Sequence, residues 1–128
     1  MLPDLHLLNT ASALMTYASE RQALVAHNIA HADTPGYKAR DLAEFGEIFR
    51  TRSEGFSQAL TSGDLSDRRN FLSRHMAEIA PQGEVSPDGN TVGLEDQMIR
   101  GQEAARDHRR ALAIYRHSID QLRTALGR

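Results

Sequence analysis

Apolar residues recur through the first thirty positions at helical spacing, with Leu7, Ala11, Leu14, Ala18 and Val25 on one line and Leu8, Met15 and Ile29 beside it. This periodicity predicts one helix over residues 5–32. Asp4 is placed to cap its start. Asp33-Thr34-Pro35-Gly36 is placed to stop it, because the residue before a proline is steered away from helical geometry. From Leu5 to Ser19 there is no Asp, Glu, Lys or Arg. A helix with one face in water normally carries charge on that face, so this one is expected to be covered, by other copies or other subunits in preference to the rest of its own chain.

The carboxy-terminal pattern is longer. Leu94, Met98, Gly101, Ala105, His108, Leu112, Tyr115, Ile119, Leu122 and Leu126 alternate at spacings of four and three, which predicts a helix with a heptad seam over residues 93–128. Glu95, Arg100, Glu103, Arg106, Arg109, Arg116 and Arg123 fall off that seam, where a solvated face is expected. Gly101 and His108 are its two weak positions, and Gly101 invites close approach of a neighbouring backbone.

Residues 37–92 read differently. Gly55, Gly63, Gly83, Gly89, Pro81 and Pro87 are scattered among polar residues, so an irregular segment without a strong core of its own is expected. Short amphipathic turns are predicted around Leu42, Phe45, Ile48 and Phe49 and around Phe71, Leu72 and Met76, with a small hairpin also possible. Ser86-Pro87-Asp88-Gly89-Asn90 has the composition of a tight turn. The predicted fold class is therefore mainly α: two long terminal helices in an antiparallel coiled-coil-like pair, divided as 1–36, 37–92 and 93–128.

Composition narrows the function classes. In 128 residues there are four Phe, three Tyr and no Trp, too few bulky groups for a large private core. With 15 Lys and Arg against 17 Asp and Glu, the formal charge of −2 argues against phosphate neutralisation on nucleic acid. No cysteine is present, which removes disulfides, thiolate metal sites and thiol nucleophiles. The amino terminus has no basic region leading into an apolar run, and no stretch approaches a membrane span, so neither a cleaved signal nor an anchor is expected.

One stretch carries a resemblance. Arg21-Gln22-Ala23-Leu24-Val25-Ala26-His27-Asn28-Ile29-Ala30-His31-Ala32-Asp33-Thr34-Pro35-Gly36-Tyr37-Lys38 resembles the amino-terminal signature of flagellar axial proteins, in which Asn-Ile-Ala precedes Thr-Pro-Gly-Tyr. Ser86-Pro87-Asp88-Gly89-Asn90-Thr91-Val92, followed by Leu94-Glu95 and a single terminal helix in so short a chain, is similar to the proximal rod proteins of the FlgB family. His27 and His31 stand where the axial signature commonly has Asn, and Gly93 stands where the family often has an Asp cap.

The resemblance implies a structural subunit, exported unfolded through the flagellar type III apparatus without a cleaved leader. It would assemble helically at the base of the periplasmic rod and transmit torque. Its implied partners are other copies of itself, other rod proteins, the basal-body adaptor or inner membrane ring, and the export apparatus. No nucleic acid, small-molecule substrate, cofactor or catalytic residue is expected. The residues assigned to the assembly interface are Leu7, Leu14, Val25, Asn28, Ile29, Thr34, Pro35, Gly36, Tyr37, Met98, Leu112, Tyr115, Ile119 and Leu122. Pro35-Gly36 is expected to fix the exit from the first helix so that Tyr37 can dock on a neighbour.

Readings from other classes are weaker. His27 and His31, four apart, have the spacing of two zinc ligands. Asn28 replaces the general-base Glu that a zincin helix would need and no third ligand can be named, so no metal site is expected. A two-helix adaptor dimerising through its heptads would use Arg106-Asp107-His108-Arg109-Arg110 as a basic patch, which Asp107 interrupts. Another short proximal-rod paralogue, FlgC-like, would differ chiefly in its neighbours.

Overall fold

A computed structural model describes residues 2–51, 64–81 and 85–127. Its elements run α1 (Leu2–Ala30), β1 (Arg40–Leu42), α2 (Phe45–Thr51), α3 (Leu65–Ser73), β2 (Met76–Glu78) and α4 (Leu94–Ala125). The expectations at Gly55, Gly63 and Gly83 fall outside the described residues. Helix α1 begins at Leu2, so Asp4 lies within its first turn and does not precede it. The side chain of Asp4 is outside the described residues.

The two long helices pack antiparallel, since Asn28 meets Gln97, Val25 lies against Gly101, and Arg21 reaches Glu103. At about 1.5 Å per residue they span roughly 44 and 48 Å. Their seam differs from the predicted one. The buried positions of α4 are Gln97, Ala104, Ala111 and Ser118, seven apart and one residue earlier than the line through Met98, Ala105, Leu112 and Ile119. On α1 the matching buried positions are Ala11, Ala18 and Val25, again seven apart.

Both sides of the seam are thus built mainly of small residues. Small side chains let helix backbones approach closely, and the larger residues are displaced to the flanks. Gly101 continues this pattern, yet a Cβ built there would sit 3.5 Å from Val25 Cγ1, an ordinary contact. Gly101→Ala should therefore raise the unfolding free energy by about 0.5–1 kcal/mol through helix propensity, measurable as a higher urea midpoint at unchanged m-value. A loss of stability would show that the seam has no room for a methyl group.

The bulky core lies elsewhere. Ala13 and Tyr17 from α1, Leu42 from β1, Ile48 from α2, and Phe71 and Leu72 from α3 are buried together. Leu14, Leu24, Phe45, Phe49 and Met76 pack around them. The predicted short turns are thus helices α2 and α3, and they supply the large side chains that cover a second face of α1. The middle segment thus supplies core where none of its own was expected, and α1 is covered in part within the chain, the less favoured of the two expectations. The absence of charge from Leu5 to Ser19 is explained in large part within the chain.

Strands β1 and β2 pair antiparallel, Arg40 opposite Glu78, Asp41 opposite Ala77 and Leu42 opposite Met76. They are joined through α2 and α3, so the pair is not a tight hairpin. The Tyr17 hydroxyl donates to the Ala43 carbonyl at 2.7 Å, and burial pushes its pKa up to about 12, so it remains a neutral donor. Among the described residues, no helix is long and apolar enough to cross a membrane.

Candidate functional site

The two sequence signatures meet at the end of the molecule where α1 finishes and α4 begins. Asp33-Thr34-Pro35-Gly36 ends α1 as predicted, with Gly36 at φ +73°, a left-handed conformation that side chains disfavour. The Gly36 N–H donates to the Asp88 carbonyl (2.9 Å), and the Thr91 N–H donates to the Tyr37 carbonyl (3.0 Å). The Ala39 N–H donates to Thr91 Oγ1 (3.0 Å) and Lys38 Nζ to the Gly89 carbonyl (2.9 Å). Gly89, also left-handed at φ +83°, lets the second loop close on itself.

Asn90 locks this junction. Its Nδ2 donates to the carbonyls of His31 (2.9 Å) and Thr34 (2.7 Å), the acceptors that a finishing helix leaves open, while its Oδ1 accepts from the Val92 N–H (2.8 Å). The amide is thereby placed in one orientation by three partners of known polarity.

Beneath the junction lies a second buried amide. Asn28 Nδ2 donates to the Arg40 carbonyl (2.7 Å) and to Gln97 Oε1 (3.0 Å). Its Oδ1 accepts from the Tyr37 hydroxyl (2.9 Å) and the Arg40 N–H (3.3 Å). Asn28 and Gln97 are both 0% exposed, so the bond between them forms out of water. Gln97 Nε2 is the buried side-chain polar atom left without a partner among the described residues.

An ionic cluster completes the join. Arg21 grips Asp41 with two bonds (Nε to Oδ1 3.0 Å, Nη2 to Oδ2 2.9 Å), and Arg100 Nη1 donates to the same carboxylate at 2.6 Å. Arg21 also reaches Glu103 (3.1 Å), and Arg100 reaches Asp96 (2.8 Å). Burial by itself would raise the pKa of Asp41, but the hydrogen bonds and charge of the two guanidinium groups outweigh it and hold the carboxyl below its ordinary value. Burial likewise works against the charge on Arg21, and Asp41 more than restores it, leaving the guanidinium pKa above its ordinary value.

The residues assigned to an interface fall into three groups. Asn28 and Val25 are buried within the chain, and Leu14 packs on the core. Tyr37 docks on its own chain and not outward: its hydroxyl meets Asn28 and His27, and its ring stacks on His31. Thr34, Pro35 and Gly36 lie at the surface of the junction. Leu7, Ile29 and Met98 are exposed, while Leu112, Tyr115, Ile119 and Leu122 are half-buried along the flanks of the seam. The residues missed from sequence are Arg21, Asp41, Asn90, Gln97 and Arg100. A usable signal existed for two of them, since Arg21 and Gln97 are polar residues at heptad positions of their helices.

No family model matches the chain. Relatives named flagellar basal body rod protein FlgB do. The Agrobacterium fabrum protein is 30% identical over 111 residues, covering 84% of this chain and 82% of its own length. That of Cereibacter sphaeroides strain ATCC 17029 is 33% identical over 116 residues, covering 83% and 82%. The Aeromonas hydrophila protein is 28% identical over 117 residues, covering 88% and 86%. Matches of this identity span most of both chains, and the two loops bearing the rod signatures join at one end of the helix pair. On this evidence the chain belongs to the FlgB family of flagellar basal-body rod proteins and is a structural subunit.

Proposed function

We propose that this subunit builds the proximal rod in the periplasm by helical, head-to-tail packing of its terminal helices. Export through the flagellar type III apparatus precedes assembly. Its partners are further copies, other rod proteins, and the adaptor or inner membrane ring at the rod's base. Torque passes mechanically through the packed helix faces, with no substrate or cofactor.

The observation that supports this reading is the distribution of large apolar side chains left in water. Leu5, Leu7 and Leu126 lie at the end where α1 starts and α4 finishes; Ile29, Leu94, Met98 and Ile99 lie at the other. Met98 is 66% exposed and Leu126 65%. Two different sets of exposed apolar residues toward opposite ends of the helix pair suit a heterologous contact, which does not close and so propagates.

Replacing Met98 and Ile99 together by Glu tests it. The isolated chain should keep its helicity and lose no more than about 0.5 kcal/mol, as for exposed sites generally. Incorporation into basal bodies, read by electron microscopy and by subunit recovery with purified rods, should fall at least tenfold. Normal incorporation would overturn the head-to-tail reading. Pro35→Ala combined with Gly36→Ala should impair rod assembly more than secretion, because the left-handed residue at 36 orients the junction. Fully formed rods in that strain would refute a role for this turn in assembly.

A further inference from the structure

The pair His27 and His31, set aside above for want of a general base and a third ligand, acquires a different meaning from its hydrogen bonds. The deduction starts at the Arg40 backbone. Its carbonyl can only accept and its N–H can only donate, so the orientation of the Asn28 amide is settled: Nδ2 faces the carbonyl and Oδ1 the N–H. Oδ1 is therefore the acceptor for the single proton of the Tyr37 hydroxyl (2.9 Å).

That proton is then not available to His27. With His27 Nδ1 only 2.8 Å from the same hydroxyl oxygen, the ring nitrogen must be the donor. His31 Nδ1 lies 2.8 Å from the His27 carbonyl, which again can only accept, so this nitrogen also carries its proton. In the neutral form of each ring the other nitrogen, Nε2, is consequently a bare lone pair. Neither Nε2 has a hydrogen-bond partner among the described residues.

The two rings are stacked, centroids 4.3 Å apart and 29° from parallel, one helical turn apart on an exposed face. Tyr37 stacks on His31 at 4.7 Å and limits its rotation. A phenol hydroxyl and a backbone carbonyl on the Nδ1 atoms are the kind of outer partners that orient metal-binding histidines and increase the basicity of Nε2.

We propose that His27 and His31 form a two-imidazole site for a divalent late-transition-metal ion, Cu²⁺ or Zn²⁺, bound through both Nε2 atoms. Both Nε2 lone pairs reach one ion only when the rings turn out of this stack, and water completes its coordination. Imidazole suits these metals, and Cu²⁺ binds more tightly than Zn²⁺ in the usual order. No third His, Cys, Asp or Glu joins the pair among the described residues, so the site is modest in affinity and open to exchange. An ion bridging one turn would clip the last turn of α1 just above the signature junction.

Calorimetric titration of the full chain with Cu²⁺, and separately with Zn²⁺, tests this in a non-chelating buffer. One ion per chain is expected, with Cu²⁺ the tighter, and the Cu²⁺ electron paramagnetic resonance spectrum should show coupling to two imidazole nitrogens. The double variant His27→Asn with His31→Asn should stay folded by circular dichroism and lose this binding at least tenfold in affinity. Tyr37→Phe, which keeps the ring but removes the hydroxyl, should weaken binding about tenfold. His6→Asn and His117→Asn should leave it unchanged. Absence of binding to the native chain, undiminished binding in the double variant, or loss of it in either control would overturn the site.

Discussion

Asp41→Ala will lower the unfolding free energy by about 3 kcal/mol, the scale of loss when one partner of a buried ion pair is removed. The carboxylate is 9% exposed and holds Arg21 and Arg100, whose side chains are 12% and 22% exposed. Removing it leaves two guanidinium groups facing each other without their shared counter-charge. Arg21 keeps Glu103, which is half in water, and Arg100 keeps Asp96, so the cost falls toward the lower end of the range. Thermal unfolding should move down by about 10 °C for a chain of this size. A change under 1 kcal/mol would mean that the cluster is solvated in solution.

The same group sets the behaviour in acid. Because its folded-state pKa is depressed, Asp41 contributes stability that is present in full above the unfolded carboxylate value, about 3.9, and is lost as pH falls through the folded pKa. Unfolding curves measured from pH 6 to pH 2 should therefore steepen in the acid limb of the native protein. The difference between native protein and the alanine variant should shrink there, since protonation removes what the mutation has already removed.

Asn28→Ala is the second large effect, also near 3 kcal/mol. One truncation removes the partner of the Arg40 N–H and carbonyl, Gln97 Oε1 and the Tyr37 hydroxyl; the Gln97 bond is fully buried and the others partly so, and each buried group left unsatisfied costs about 1–3 kcal/mol before relaxation. His27→Asn, one residue away but on the exposed face, should cost less than about 0.5 kcal/mol. Chemical denaturation of the two variants side by side checks the contrast. Comparable losses would mean that the amide has no special structural role. On the export route proposed above the subunit has to refold before it assembles, and the Asn28 variant should then also reduce motility through a smaller population of folded subunits.

Both effects arise at positions that a hydrophobicity pattern misreads. Arg21 and Asn28 continue the seven-residue lines of α1 through Leu14, and Gln97 begins the buried line of α4. Along a single chain, a polar residue at such a position reads as an interruption. Only the fold gives such a residue its partners: Asp41 lies 20 positions from Arg21, the Arg40 backbone 12 from Asn28, and Asn28 itself 69 from Gln97.

What the sequence determined by itself was local. Periodicity placed two long helices, proline and glycine placed the turn after each signature, and the motifs placed the chain among axial proteins, because each of these depends on residues within a few positions of one another. The tertiary structure decided which helix faces meet. Met98, Leu112 and Ile119 are more apolar than Gln97, Ala104, Ala111 and Ser118, yet the second set is buried. Apolarity favours burial in general, but closeness of two backbones depends on side-chain size on both helices at once, and no single helix carries that information. Similarly, Phe71 and Ile48 became core because the folded middle segment found an uncharged face of α1 to cover, a match that exists only when both are in place.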